Sequence, residues 1–329
     1  MNKIKSLYPL QFEPILKERI WGGDRLKTVL WKKTRTKHCG ESWELSGVQD
    51  HVSVVANGFL QGNNLQEVIE IYMGDLLGEK IYDRFGIEFP VLIKFIDAHD
   101  DLSIQVHPDD QMAFDRHGAF GKTEMWYVME AGRDSSLIVG FNQQMNREKY
   151  MQALEKKKLK EIMNFEKVSV GDVFFIPAGR VHAIGKDILL AEIQQTSDVT
   201  YRIYDWDRTD DSGKPREMHT ELALDAIDYS LHNTYKTQYQ KPSNATAELI
   251  KCPYFTTSLV CFDRPVEKDY QVLDSFVIYI CTSGACSIRW GTDESLNIRK
   301  GDTVLIPAVL EEIQLAPTEA TELLEVFIN

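Results

Sequence analysis

Along residues 102–108, Leu-Ser-Ile-Gln-Val-His-Pro, apolar and polar positions alternate without a slip. Successive side chains of a strand point to opposite faces, so the pattern predicts one face of Leu102, Ile104 and Val106 and another of Ser103, Gln105 and His107. The polar face can hold a ligand or simply meet water. The same period runs through 40–46, where Ser42, Glu44 and Ser46 alternate with Trp43 and Leu45, giving either a pocket wall or an exposed face. Residues 90–97 form a nearly continuous apolar run of strand length with Lys94 in its middle. A lysine there must reach an anion or snorkel to water. Thr123–Met129 predicts a further strand, with Glu124 sharing a face with Trp126 and Val128, and more strands follow in 168–184 and 188–195.

Helical spacing replaces this pattern in two insertions. Leu65, Val68, Ile69, Tyr72 and Leu76 mark a helix over 64–77, within a helical segment near 64–86; Asn64 is its N-cap, with Glu67 three residues on. In 146–163, Tyr150, Met151, Leu154, Leu159, Ile162 and Met163 form the inward stripe of one amphipathic helix, and Lys156–Lys158 its solvated face. A short helix is expected over 220–232. Lys241–Ala247 reads as a linker, and beyond it lie about five strand-like runs ending in Leu323–Ile328. The two halves echo each other. Gly-Asp, an apolar strand and Pro-Ala occur both in 168–178 and in 296–308, but the second copy lacks the Gly and His that follow the first. The expectation is a mainly β protein of two related β-domains: one over 1–240 with helical segments, which keeps a polar site, and a smaller one over 248–329, which does not.

Composition narrows the function. With 37 basic and 50 acidic residues among 329, the net charge is −13, which disfavours nucleic acid and anionic membranes as partners. Local Lys and Arg must do the work if the ligand is an anion. The five cysteines are odd in number and contain no C-x-x-C, so they read as reduced, mostly buried thiols. No apolar leader or membrane-length run interrupts the chain, and a cytoplasmic protein is expected.

Gly171-x5-Pro177-x-Gly179-x2-His182 resembles the second motif of the cupin jelly roll, in which the glycines permit turns and the histidine points into the barrel. Cupins close a metal site with ligands from an earlier strand pair, and here that pair offers Gln105-x-His107 followed by Glu124. Two imidazoles, a carboxylate and an amide oxygen suit Zn²⁺, and iron is chemically possible. Downstream, Glu192, Asp198 and Arg202 stand in a polar segment that, on its own, reads first as a loop with surface ion pairs.

Taken in order, Trp21-Gly-Gly, Gly40-Glu-Ser-Trp, Pro90-Val-Leu-Ile-Lys, Leu102-Ser-Ile-Gln-Val-His-Pro, Lys122-Thr-Glu, Pro177-Ala-Gly-Arg-Val-His-Ala and Glu192 through Arg202 resemble the type I mannose-6-phosphate isomerases, in their short form. The resemblance implies a cupin barrel with helical insertions and a second, smaller cupin-like domain. It implies one zinc per chain held at His107, Glu124, His182 and Gln105, with Gln105 not a ligand in every short-form member. It places the active-site arginine at Arg202 and the other polar pocket residues at Ser103, Lys94, Lys122, Glu192 and Asp198. The expected reaction is the interconversion of mannose 6-phosphate and fructose 6-phosphate through a cis-enediol. Either Glu192 or Asp198 would move the proton, Arg202 would stabilise the developing charge, and Ser103, Lys94 and Lys122 would hold the phosphate. The competing readings are a non-catalytic cupin that binds a sugar phosphate and an iron-dependent cupin dioxygenase; Gln105 in place of a histidine speaks against the second. The oligomeric state is not legible.

Overall fold

The structure, a computed structural model, describes residues 6–209 and 213–329. It is mainly antiparallel β. The strands of the first half are β1 (Ile15–Gly23), β2 (Cys39–Leu45), β3 (Val91–Ala98), β4 (Ile104–Val106), β5 (Glu124–Ala131), β6 (Ser136–Phe141), β7 (Met163–Lys167), β8 (Val173–Ile176), β9 (His182–Ile184), β10 (Ile188–Gln195) and β11 (Tyr201–Tyr204). They form two sheets, ordered β1-β2-β3-β10-β5-β8 and β11-β4-β9-β6-β7. The helices are α1 (Arg25–Thr28), α2 (Leu65–Leu77), α3 (Glu79–Phe85), α4 (Asp110–His117), α5 (Arg147–Glu155), α6 (Leu159–Ile162) and α7 (Thr220–Ala226). Asn64 caps α2 in a full capping box with Glu67, as the sequence predicts.

The period of two decides what each strand faces. Ile96, Val128, Leu190, Leu137, Val139, Phe174 and Ile184 fill the space between the two sheets. Phe95, Met125, Tyr127, Leu189, Ala191 and Ile193 point away from it into a second core. On the outside of the other sheet, Ile104, Val106, Ala183, Tyr201 and Ile203 pack beneath residues of α5, α6 and α7. Leu102 departs from the expected pattern. β4 begins only at Ile104, and Leu102, still in the preceding loop, joins the core between the sheets instead of the face of Ile104 and Val106.

Three further expectations are corrected. The single helix over 146–163 is two, α5 and α6, broken at Lys156–Lys158, where Lys157 takes a left-handed conformation (φ 56°) and the stripe passes through the turn; Met163 already begins β7. The helix expected over 220–232 stops at Ala226 because Ile227 is extended. The C-terminal part holds nine strands, not about five: β12 (Ala245–Lys251), β13 (Thr256–Phe262), β14 (Val266–Asp269), β15 (Val277–Ser283), β16 (Ala285–Trp290), β17 (Glu294–Arg299), β18 (Thr303–Ile306), β19 (Glu312–Pro317) and β20 (Thr321–Phe327). β14 and β17 are half exposed and rich in charge, so their apolar signal is faint. β12 starts inside the expected linker. These strands form sheets β12-β13-β20-β15-β18 and β14-β19-β16-β17.

The two β units are welded rather than tethered. Leu10, Phe12, α2, and the outward residues of β3, β5 and β10 share one core with Leu259, Phe276, Ile278, Leu305, Leu324 and Val326. Leu10 and Leu305 exchange backbone hydrogen bonds of 2.8 and 2.9 Å. Lys32, buried, reaches both Glu44 and the Gly301 carbonyl at 2.6 Å.

Candidate metal and active site

Strand register lines up the polar residues in rows. In the larger sheet Trp43 pairs with Lys94, Lys94 with Glu192, and Glu192 with Trp126. One step along, Leu92 pairs with Gln194 and Gln194 with Glu124. In the facing sheet Arg202 pairs with Gln105, Gln105 with His182 and His182 with Val139. Directly opposed residues share a face, so each row looks into the space between the sheets, beyond the apolar floor of Ile96, Val128 and Leu190.

His107, just past the end of β4, completes a buried cluster with Glu124 and His182 whose potential ligand atoms all lie within 4.8 Å of one another. His107 Nδ1 donates to the Val199 carbonyl (2.9 Å) and His182 Nδ1 to the Arg180 carbonyl (2.8 Å). Each bond fixes the tautomer and leaves the Nε2 lone pair facing the centre, the arrangement of a metal-binding histidine. Burial, reinforced for His107 by the Lys122 ammonium, lowers both imidazole pKa values and keeps the rings neutral. Glu124 Oε1 is buried without a hydrogen-bond partner, 3.4 Å from His182 Nε2. An orphaned carboxylate oxygen beside two imidazole lone pairs is a donor set that calls for a cation, so the residues fit a divalent metal. The turn before His182 is tied in as well. Gly179 takes φ 86°, open to glycine but not to most side chains, and its N–H donates to the His107 carbonyl at 2.9 Å.

Around this cluster, Lys122 places its ammonium on Glu124 and 2.9 Å from His107 Nε2. Gln105 directs its amide nitrogen at His182 Nε2, 3.2 Å away; as a ligand it would present Oε1 instead. Lys94 does not snorkel. Buried, it bonds Glu192 Oε1 (3.0 Å) and Gln194 Oε1 (2.6 Å), and lies 5.1 Å from the Trp43 ring centre. Trp126 donates its indole N–H to Glu192 Oε2 at 2.9 Å and sets its edge against His182. The two buried carboxylates are driven apart. Burial and the Glu192 charge raise Glu124, whereas Lys94 and Lys122 hold Glu192 low in spite of its burial.

Arg202 is half-buried, with Nη1 on the Glu217 carbonyl (3.0 Å) and Nε unpartnered. Asp198 lies exposed on the rim, in the turn between β10 and β11, within electrostatic reach of Lys17, whose ammonium stands 4.7 Å from the Trp43 ring centre. Ser103 is buried in the loop before β4; among the described residues, no hydrogen bond joins it to the cluster. Lys17, Trp126 and Gln194 stand beside the site residues, in contact with Trp43, Glu192 and Lys94 respectively, and sequence reasoning did not select them. The alternation that exposed Glu124 also carries Trp126, and Gln194 is two positions from Glu192; nothing in the sequence around Lys17 marks it.

Fold and cluster together define a cupin-type β protein with a buried His-Glu-His site between its sheets. Residues 9–131 match the catalytic domain of phosphomannose isomerase type I. The chain is 36% identical over 310 residues to the mannose-6-phosphate isomerase ManA of Bacillus subtilis (strain 168), covering 93% of this chain and 95% of that protein. It is 32% identical over 317 residues to the mannose-6-phosphate isomerase of Streptococcus mutans serotype c, covering 93% and 94%. A crystal structure of the mannose 6-phosphate isomerase from Bacillus subtilis superposes with a TM-score of 0.87 at 28% identity, over 97% of this chain and 99% of that one. The chain belongs to the type I phosphomannose isomerase family and is an aldose–ketose isomerase. Among the described residues, no helix is long and apolar enough to cross a membrane.

Proposed function

We propose that this enzyme interconverts mannose 6-phosphate and fructose 6-phosphate through a cis-enediol, with one zinc ion per chain. The observation that carries the reading is the His107–Glu124–His182 cluster, with both imidazole tautomers fixed and one carboxylate oxygen left for a cation, in a family of phosphomannose isomerases. Zinc would be held by these three residues, with Gln105 as a fourth after its amide turns, and would polarise the sugar oxygens as a Lewis acid. A redox metal is not needed, since the reaction only moves one proton between adjacent carbons and another between their oxygens.

The chain's own groups divide the remaining work. Both Glu192 oxygens are engaged and its pKa is held low, so it is a poor proton acceptor; its task is to hold Lys94. Asp198, exposed at the rim, is the carboxylate left to take the proton from one carbon and return it to the next. Arg202, on the same face as Gln105, stabilises the oxyanion of the enediolate. Lys94, Lys122 and Ser103 supply cationic and hydroxyl contacts for the phosphate. On this reading residues 1–240 are the catalytic domain and 248–329 a smaller cupin-like domain without a metal site.

The test is a coupled assay of mannose 6-phosphate conversion before and after chelation, with zinc added back. Activity lost with chelator and restored by zinc supports the whole reading. Activity that survives complete metal removal overturns the zinc. No turnover by the zinc-loaded protein overturns the isomerase substrate and favours a sugar-phosphate binder.

A further inference from the structure

Gln194 is fully buried at the end of β10 and uses its whole amide. Oε1 accepts from Lys94 Nζ at 2.6 Å, while Nε2 donates to the Gln195 carbonyl (2.9 Å) and to the Ser197 carbonyl (2.5 Å). The turn that follows is pinned near its ends. Gln195 exchanges bonds with Thr123, Thr196 donates to Pro90 and Phe89, and the Val199 carbonyl accepts from His107. At its apex, just before Asp198, the Ser197 carbonyl rests on Gln194. An amide suits this place because it alone combines an acceptor for an ammonium with two donors for carbonyls. Glutamate would keep Lys94 but set a carboxylate against two carbonyl oxygens. Methionine, of similar length, would leave the Ser197 carbonyl without its donor and Lys94 with Glu192 alone.

We propose that Gln194 is a positioning residue that locks the 195–199 turn to Lys94 and so sets the height of Asp198 over the pocket. The proposal rests on the roles given above to Lys94 and Asp198, and it adds a residue that touches neither substrate nor metal. It predicts that Gln194→Met and Gln194→Glu each lower kcat at least tenfold, with KM for mannose 6-phosphate changing more in Gln194→Met, where Lys94 also loses one of its two acceptors.

Two measurements separate positioning from a general loss of structure. The first is amide hydrogen exchange. In Gln194→Met, exchange across 195–199 should accelerate at least tenfold while β3 and the rest of β10 keep their protection; uniform acceleration, or no change in the turn, overturns the proposal without reference to any activity. The second is a cycle with Asp198→Asn, a change at an exposed position. If Gln194 acts through Asp198, then Gln194→Met should cost less than about threefold in kcat once Asp198 is already asparagine. Independent, multiplying losses overturn the proposal. Full activity in Asp198→Asn alone overturns both the base assignment and the route drawn from Gln194 to it. A wild-type enzyme without turnover overturns the functional reading only, and the exchange measurement then still decides whether Gln194 holds the turn.

Discussion

At the scale of single residues, what distinguishes this site is how few of its side chains are free to move. Glu192 is held at both oxygens, Lys94 by two acceptors, and each histidine by a backbone carbonyl. Arg202 is looser, with one nitrogen engaged and Nε unpartnered. An anionic oxygen arriving at that Nε gains a charge-assisted bond that the resting state lacks. Arg202→Ala should therefore keep the fold and, on the proposed reading, its zinc, while kcat falls by about 10²–10³, the usual cost of removing one donor to a developing oxyanion. Elemental analysis and the coupled assay on the same preparation check both halves, and near-normal kcat would remove Arg202 from the chemistry. Most of this residue set was visible in the sequence. Glu124 stood out because a carboxylate shared a strand face with Trp126 and Val128, and Lys94 because it interrupted an apolar run. Whether Lys94 went to an anion or to water was not readable, because the deciding partners, Glu192 and Gln194, lie about a hundred positions away.

At the scale of elements, the strands that carry the site are short and depend on loops for their placement. The loop before β4 is held by the Trp206 indole on the Leu102 carbonyl (2.7 Å) and by Arg208 on the Asp101 carbonyl (2.6 Å). Arg208 and Arg216 both converge on Asp205, which is buried just after β11. Burial alone would raise the Asp205 pKa, but the two guanidinium groups hold it below the usual carboxylate range. The sign follows directly. A carboxylate whose folded pKa is depressed adds stability that is present above its unfolded value, near 4, and lost as pH falls through the lower folded value. Asp205→Asn should thus cost about 2 kcal/mol at pH 7, and the gap to wild type should narrow as pH approaches 3. Urea midpoints of both proteins across that range check it; a gap constant with pH would count against the ion pair as its source. Element boundaries were the least legible feature of the sequence. From Leu154 to Leu159 the stripe steps five residues across the Lys156–Lys158 turn, where a continuous helix would step three or four, so the spacing carried only a faint mark of the break. Leu102 fits the alternation of β4 in the sequence, yet it precedes the strand and faces the core between the sheets.

At the scale of the molecule, the two β units share one continuous core, with Lys32, Glu44 and Gly301 buried across the junction. A shared core predicts that both units unfold in a single cooperative transition, read identically by calorimetry and by urea titration. Lys32→Met would strand the Glu44 carboxylate in that junction and should lower stability by about 3–5 kcal/mol, moving the transition as a whole. A second transition in either protein would show that the units fold independently. By itself, the sequence determined the mainly β class, the helical insertions, the ligand-type residues of the cluster, and the membership that their order implies. The class and the insertions rest on local alternation and capping, which act over a few residues; the ligand set and the membership rest on the resemblance of its motifs to a known family. Only the tertiary structure decided that Glu192 is pinned rather than free, that Gln194 and Trp126 bond Lys94 and Glu192, and that the second β unit is fused to the first through a common core. Those outcomes come from strand register and from contacts between distant segments. Such long-range pairings leave no periodic trace in the chain, because their partners meet only when the sheets close.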